Sequence, residues 1–410
     1  MRIVLLLVIS ILITGLFTSC SKSGENPNPP SNTDSFMVTV NHGYGAGKFK
    51  TGDTVHIFSN AWSAGQVFGS WVGDINLLDG PDEWHTWFIM PNKNVSFTGN
   101  LVNIPNYTLH YESIMGRDRM KNVYSYFPTG HKGIVYLLHG TSGTAANIAG
   151  DYEWQQFIKD LVNNNFGIII TEAEEATTHI DANGDGKLRW YLLPVDTINN
   201  VDFANIRIIT DTFYNRGITN RQKPRYSVGM SNGGFFSGAL SYVYNFKAGV
   251  QYCAQGGSNL PAFTTIPTQF CMARFDDNDE VGPAGNAAAF NYFNQLNARG
   301  ICSKYFITER SPLYPERIAR SGEISIAQGI DIVNELKAKN YMDNRNYFIG
   351  NSDSLVADLQ ANPALFPVIV NMSLTQKQFL LAQINISRAS HHIYSDYNRA
   401  TIHFLNVQCQ

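Results

Sequence analysis

The chain carries no basic excess. Its 30 Lys and Arg face 33 Asp and Glu for a formal net charge of −3, which gives no reason to expect nucleic acid as a partner. Cysteine is scarce: five residues in 410. The wide, irregular spacing of Cys253, Cys271, Cys302 and Cys409 excludes a zinc ribbon or a C-x-x-C redox motif. Cys253 and Cys271 lie in apolar, strand-like runs, where they are either buried thiols or a pair. The apolar run at residues 3–17 is too short for a comfortable membrane span. What is plentiful is apolar and aromatic. Hydrophobic residues make up 44% and charged residues 15%, so a real core can form, and the length suits one large α/β domain plus a smaller one. The 20 Tyr and 25 Phe fit a secreted protein that meets carbohydrate, and equally a Tyr-rich β-surface.

Arg2 precedes the apolar run, which ends in Thr18-Ser19-Cys20. This is a secretory signal. Cys20, just after small residues, resembles the lipidation site of a bacterial lipoprotein, with Phe17 where Leu is commoner. The resemblance implies a signal peptide at 1–20, a lipid anchor on Cys20 and a bacterial outer-membrane or cell-surface location. The alternative is plain secretion after cleavage nearby. Residues 21–34 are polar with Pro and Asn, a flexible tether.

Residues 35–101 read as all-β. Phe36 to Val40 and Thr54 to Phe58 alternate, Gly43-Tyr44-Gly45-Ala46-Gly47 is a turn, and Trp87 to Met90 leads through Pro91 to Val95-Ser96-Phe97. Short strands at this density indicate a small sandwich-like domain. The order of its segments, FGSWVGD followed by TWFIMPNKNVSF, is similar to small β repeat modules of bacterial surface proteins. That resemblance implies a spacer or adhesion role. Trp62 and Trp84 are candidates for glycan contact, with packing the competing use.

From residue 107 the pattern changes to strands alternating with helices. Continuous apolar runs at 133–138 and 167–171 read as central parallel strands, with further strands at 226–230, 248–253, 269–273 and 303–307. Helical periodicity occupies 152–164, 203–214 and 285–297. Residues 310–379 break the alternation. Four prolines, two helical pieces (324–339 and 354–360) and no clear strand mark an inserted cap or lid.

The densest signal is Gly229-Met230-Ser231-Asn232-Gly233. A β-prone run enters it and a helix-compatible run leaves it, the G-x-S-x-G spacing of a nucleophile elbow. Glycines at minus two and plus two avoid collisions around a strained serine. The Asn232 amide then lies at a helix N-terminus, where it can stabilise an oxyanion. A bare Gly-rich turn is the bland alternative, so the supporting parts decide. His139-Gly140-Thr141 follows a buried strand and offers the Thr141 amide as a second donor, with His139 itself read as structural. Asp276, Asp277 and Asp279 compete for the acid downstream of a strand. His391 and His392 compete for the base near the C-terminus, and the small residues Ala389 and Ser390 favour His391.

The order serine, aspartate, histidine and the H-G loop resemble α/β-hydrolases. The family commonly places its acid in a D-x-V-x-P setting, which implies Asp279 in Asp279-Glu280-Val281-Gly282-Pro283. Residues 201–240, with Asp202 and Phe203 ahead of Gly229-Met230-Ser231-Asn232-Gly233-Gly234, resemble secreted esterases of the polyhydroxybutyrate depolymerase and feruloyl esterase type. The resemblance implies an α/β fold with a mostly parallel sheet and a cap insertion over residues 107–410. It implies catalytic Ser231, Asp279 and His391, an oxyanion hole from Thr141 and Asn232, and no cofactor required for catalysis. Its expected substrate is a polymeric ester: acetyl or feruloyl esters of polysaccharides, or a polyester. The competing readings are a prolyl-oligopeptidase-like peptidase, which shares the triad order but usually brings a propeller, and a non-catalytic glycan-binding or adhesion lipoprotein.

One motif stands apart. Asp181, Asn183 and Asp185 have the D-x-N-x-D-G oxygen spacing of a calcium loop. Leu192 stands where an EF-hand has its bidentate Glu, so the expectation is a structural calcium site borrowing Glu172, Glu174 or Glu175, against an Asx-rich turn with no ion. Trp190 follows directly and is expected to line the active-site mouth.

Overall fold

A computed structural model describes residues 35–409. The signal at 1–20 and the tether at 21–34 lie outside the described residues.

The first seven strands are β1 (Ser35–Asn41), β2 (Gly43–Tyr44), β3 (Gly47–Lys50), β4 (Thr54–Ser59), β5 (Gln66–Gly73), β6 (His85–Ile89) and β7 (Val95–Asn103). They form two sheets, ordered β3-β1-β7-β5 and β2-β4-β6. All pairings are antiparallel except β1 with β7. Their side chains meet in one core of Val38, Ile57, Phe58, Phe68, Trp71, Trp84, Phe88 and Phe97. Packing therefore claims the tryptophans considered for glycan. Trp84 is 4% exposed, and Trp62 is half-buried against it with ring centroids 5.9 Å apart.

The next eight strands are β8 (His110–Met115), β9 (Met120–Tyr126), β10 (Ile134–Leu138), β11 (Gly167–Ile170), β12 (Arg225–Met230), β13 (Ala248–Tyr252), β14 (Thr268–Ala273) and β15 (Ser303–Thr308). Their spatial order is β15-β14-β13-β12-β10-β11-β9-β8. Strands β10 to β15 run parallel, while β9 is antiparallel to both neighbours. Numbered within the sheet, this is 1-2-4-3-5-6-7-8 with the second strand reversed, the α/β-hydrolase arrangement. Both faces are covered. Val135 and Leu137 meet Trp154, Phe157 and Leu161 on one side, and Ile134, Tyr136 and Leu138 meet Phe203, Ile209 and Phe236 on the other. This double burial is why the strands read as unbroken apolar runs. The helix Gly282–Ala298 follows β14, and Cys302 at the start of β15 is disulfide-bonded to Cys409. Cys253 and Cys271 are free and buried.

The insertion is helical and has its own core, built from Leu313, Ile318, Ile332, Leu336, Phe348, Leu355, Phe366, Leu380 and Ile384. It extends further than expected. A helix at Leu374–Ser387 carries it past residue 379 and straight into the His391 loop. The segment lacks a clean apolar stripe because apolar residues point both into the insertion core and toward Tyr152, whose ring lies 5.3 Å from that of Phe379. Its signal was the capping box: Ser373 Oγ accepts from the Gln376 amide at 3.1 Å, and Gln376 Oε1 from the Ser373 amide at 3.0 Å.

The insertion also contacts the β domain. Tyr314 stands edge-on to Tyr44 and Phe58, and the Arg320 guanidinium lies 4.0 Å over the Trp84 ring. Beneath them runs a buried polar chain. His56 Nδ1 pairs with His85 Nε2 at 3.0 Å, His85 Nδ1 meets Asp396 Oδ1, and Arg317 reaches Asp396 Oδ2 at 3.3 Å. Glu83 accepts from the Arg399 and Ala400 amides at 3.2 and 2.7 Å. The β domain is thus tied to the segment that follows His391.

Candidate active site

Central strand β12 delivers Ser231 just past its C-terminal end. Ser231 has φ 56° and ψ −126°, a left-handed φ that costs a non-glycine residue about 1–3 kcal/mol. The helix Asn232–Val243 begins at the next residue. A Cβ on Gly229 would lie 2.0 Å from the Gly233 carbonyl oxygen, and one on Gly233 would lie 2.3 Å from the carbonyl oxygens of Leu138 and His139. Both positions therefore require glycine, as the elbow spacing anticipated. The Ser231 amide donates to the Tyr252 carbonyl at 2.8 Å, which holds the turn against the end of β13.

The loop after β10 lies against the serine. A Cβ on Gly140 would be 3.2 Å from the Cβ of Ser231. The amides of Thr141 and Asn232 have no acceptor among the described residues. His139 is a brace. Its Nε2 accepts from the Ala173 amide at 3.0 Å, which puts the proton on Nδ1 facing the Gly140 carbonyl at 2.7 Å. Burial lowers its pKa to about 4, so it is neutral at pH 7.

Trp190 differs from expectation. It is 2% exposed and stacks on Phe236 with ring centroids 4.6 Å apart. Its indole N–H donates to the His139 carbonyl at 2.9 Å, and its amide to Asn232 Oδ1 at 2.8 Å. It supports the loop after β10 and the elbow from behind and does not line the mouth. Asp202 fixes the same segment, accepting from the Tyr191 and Glu174 amides at 2.8 and 2.7 Å. Burial raises its pKa to about 7.

The acid position needs correction. His391 Nδ1 pairs with Asp276 Oδ2 at 2.8 Å. Asp279, the residue chosen from the D-x-V-x-P setting, is exposed and touches neither histidine. The reason lies in chain geometry. The Asp276 amide turns back onto the Ala273 carbonyl at the end of β14 at 3.2 Å, so the first aspartate after the strand points inward. Asp279 is three residues further along and has turned outward ahead of the Gly282–Ala298 helix. Asp276 Oδ1 is also engaged, accepting from the Asn278 amide at 3.0 Å. Asp277 is exposed and lies 3.5 Å from the Ser390 hydroxyl. The distance from the strand end was the overlooked signal.

Of the two histidines, His392 turns away, its Nδ1 2.6 Å from the Ile393 carbonyl. His391 keeps a buried Nε2 with no hydrogen-bond partner, the atom that a serine hydroxyl would engage. The Phe275 amide donates to the Ala389 carbonyl at 2.9 Å, joining the Asp276 and His391 loops. Cys253 follows Tyr252, whose carbonyl holds the Ser231 amide. The Cys253 thiol, the Asp276 carboxylate and the His391 imidazole each place one ligand atom within 4.8 Å of the others.

The Asp181 loop is compact and closed on itself. Asp181 accepts from the Gly184 and Gly186 amides at 2.8 and 2.6 Å. Glu175 accepts from the Ala182 and Arg189 amides, and Glu172 accepts from the Asn122 side chain and the Ala145 amide. Glu174 pairs with Lys121 at 3.2 Å. The Arg189 guanidinium lies 3.4 Å from Asp185, and Asn183 reaches only Asp185. The acidic residues expected to be borrowed are therefore spent on backbone amides and side-chain partners.

No family model and no curated protein matches the chain. Among solved structures, it is similar to a dienelactone hydrolase from Anabaena variabilis at 16% identity, over 50% of this chain and 87% of that one, with a TM-score of 0.36. It is also similar to an esterase from Pyrococcus furiosus at 10% identity, covering 50% and 87%, with a TM-score of 0.34. A ferulic acid esterase matches at 10% identity, covering 49% and 89%, with a TM-score of 0.35.

Proposed function

We propose that this protein is a serine carboxylesterase that works through an acyl-enzyme. The observation that carries the reading is His391, held on Asp276 by Nδ1 with Nε2 buried and unpartnered, in a chain whose Ser231 stands at positive φ on an elbow fastened to Tyr252. In the first step His391 Nε2 takes the Ser231 proton as Oγ bonds to the ester carbonyl carbon. Asp276 keeps the Nδ1–H tautomer and stabilises the imidazolium. The Thr141 and Asn232 amides receive the oxyanion, and each such donor is typically worth about 10²–10³-fold in rate. The leaving alcohol takes the proton from Nε2. Water then attacks the acyl-enzyme with the same proton path in reverse, releasing the acid and restoring Ser231.

The tether, the aromatic composition and the exposed Phe275 beside Asp276 favour a large ester-bearing polymer, either a polysaccharide with acetyl or feruloyl esters or a polyester. Anchoring through a lipidated Cys20 would hold the enzyme at the cell surface. Turnover of p-nitrophenyl esters tests the chemistry: wild type hydrolyses short acyl esters and Ser231→Ala does not. No turnover by either protein contradicts the esterase reading. Acetylated or feruloylated xylan set against polyester film separates the substrates, and radiolabelled palmitate incorporation lost in Cys20→Ser tests the anchor.

A further inference from the structure

Cys253 is fully buried and has φ 45°, a strained conformation for a residue with a side chain. The reaction described above gives it no task. Its thiol donates to the His392 carbonyl at 3.4 Å, so it faces the histidine loop. It also lies within 4.8 Å of the pairing atoms of Asp276 and His391, the one such three-residue group among the described residues. A soft thiolate, an imidazole nitrogen and a carboxylate oxygen form a donor set suited to Zn2+ or Cd2+.

We infer that Cys253, Asp276 and His391 form an inhibitory site for one soft divalent cation. Ligands bound tetrahedrally at usual zinc distances lie roughly 3.3–3.6 Å from one another. The 2.8 Å contact between His391 Nδ1 and Asp276 Oδ2 therefore has to open by about half an ångström, and the ion replaces the shared proton. The Nδ1 proton moves to Nε2, and the Cys253 thiol proton leaves to solvent. A thiolate and a carboxylate then neutralise the two charges of the ion, which suits a buried site. The fourth position is free for water. Entry is from the His391 side, where that side chain is 13% exposed and Asp276 is 0%.

With Nε2 protonated and Nδ1 bound to the ion, His391 cannot take the Ser231 proton. The inhibition arm rests on the esterase reading, but binding of the ion does not. The experiment titrates the full-length protein with Cd2+ and follows two signals, the cadmium–thiolate charge-transfer absorption and p-nitrophenyl acetate turnover, with EDTA reversal. Wild type is expected to develop the band at one ion per chain and to lose turnover by about 10²-fold or more, the scale of a lost general base. Cys253→Ser is expected to lack the band and to keep its own metal-free rate at the concentration that silences wild type. The band with no turnover in untreated wild type would uphold the site and contradict the esterase reading. No band, or a band or inhibition that persists in Cys253→Ser and so arises elsewhere, such as at Cys271, would overturn the proposal.

Discussion

Replacing Asp276 by Asn separates the two candidate acids and tests the geometry around His391. The carboxylate now makes two contacts of opposite demand on an amide. Oδ2 accepts from His391 Nδ1 at 2.8 Å, and Oδ1 accepts from the Asn278 amide at 3.0 Å. An asparagine has one oxygen to offer. If it serves the Asn278 amide, its NH2 faces His391 Nδ1 and forces the proton onto Nε2, so the imidazole cannot act as base. If it serves His391, its NH2 confronts the Asn278 N–H. The first arrangement costs catalysis and the second costs local structure. Tautomer inversion at a buried triad acid lowers kcat by about 10⁴-fold, or about 5.5 kcal/mol of transition-state stabilisation. Asp279→Asn changes an exposed side chain, for which effects stay near 0.5 kcal/mol, about twofold. Steady-state kcat and kcat/KM for p-nitrophenyl acetate, with circular dichroism to confirm folding, give the comparison. The reasoning is refuted if Asp276→Asn keeps more than about a tenth of wild-type kcat, or if Asp279→Asn shows the larger loss.

Gly233→Ala drives a methyl to 2.3 Å from the Leu138 and His139 carbonyl oxygens. It is expected to cost at least about 1–3 kcal/mol and to lower Tm together with activity, whereas an unchanged Tm would contradict the close packing. The buried pair His56 and His85 sets an acid limit on stability. Burial lowers both pKa values, and for His85 it outweighs the raising effect of Asp396. The unfolded chain therefore binds more protons as pH falls. Stability from this pair is full above the unfolded histidine value near about 6.5 and declines below it, by up to about 1.4 kcal/mol per pH unit for each histidine. Denaturant unfolding between pH 7.5 and 5.5 (about one unit either side of that value) checks this against His56→Gln, which is expected to flatten the slope. Because the Asp181 loop is closed by its own amides and Arg189, EDTA is expected to shift Tm by less than about 1 °C, under about 1 kcal/mol for a chain of this size. A calcium-dependent rise of several degrees would establish the ion that the sequence spacing suggests.

Much of this site was legible because the chemistry constrains spacing. Gly229, Ser231 and Gly233 could be read together since the elbow admits no side chain at either glycine. The sheet was legible because its strands are covered on both faces, as β10 shows with five buried residues in succession. The acid was not legible. Three aspartates crowd one loop, and only the turn of the Asp276 amide onto Ala273 decides which one faces inward. Trp190 misled for a related reason: a large aromatic after a strand end can line a mouth or brace a loop, and the choice depends on Phe236 and Asn232, remote in sequence. The helix Leu374–Ser387 escaped notice because contacts on more than one side erase the apolar stripe. The tie between Asp396 and His85 spans 311 positions, and no local pattern announces such a contact.

The central claim is that Ser231 is the nucleophile and is activated by His391. Its most direct test is reaction of the intact protein with a fluorophosphonate probe, followed by peptide mass mapping. One adduct per chain is expected on Ser231, lost in Ser231→Ala and strongly slowed in His391→Ala. An adduct on another residue, or labelling that survives Ser231→Ala, would contradict it.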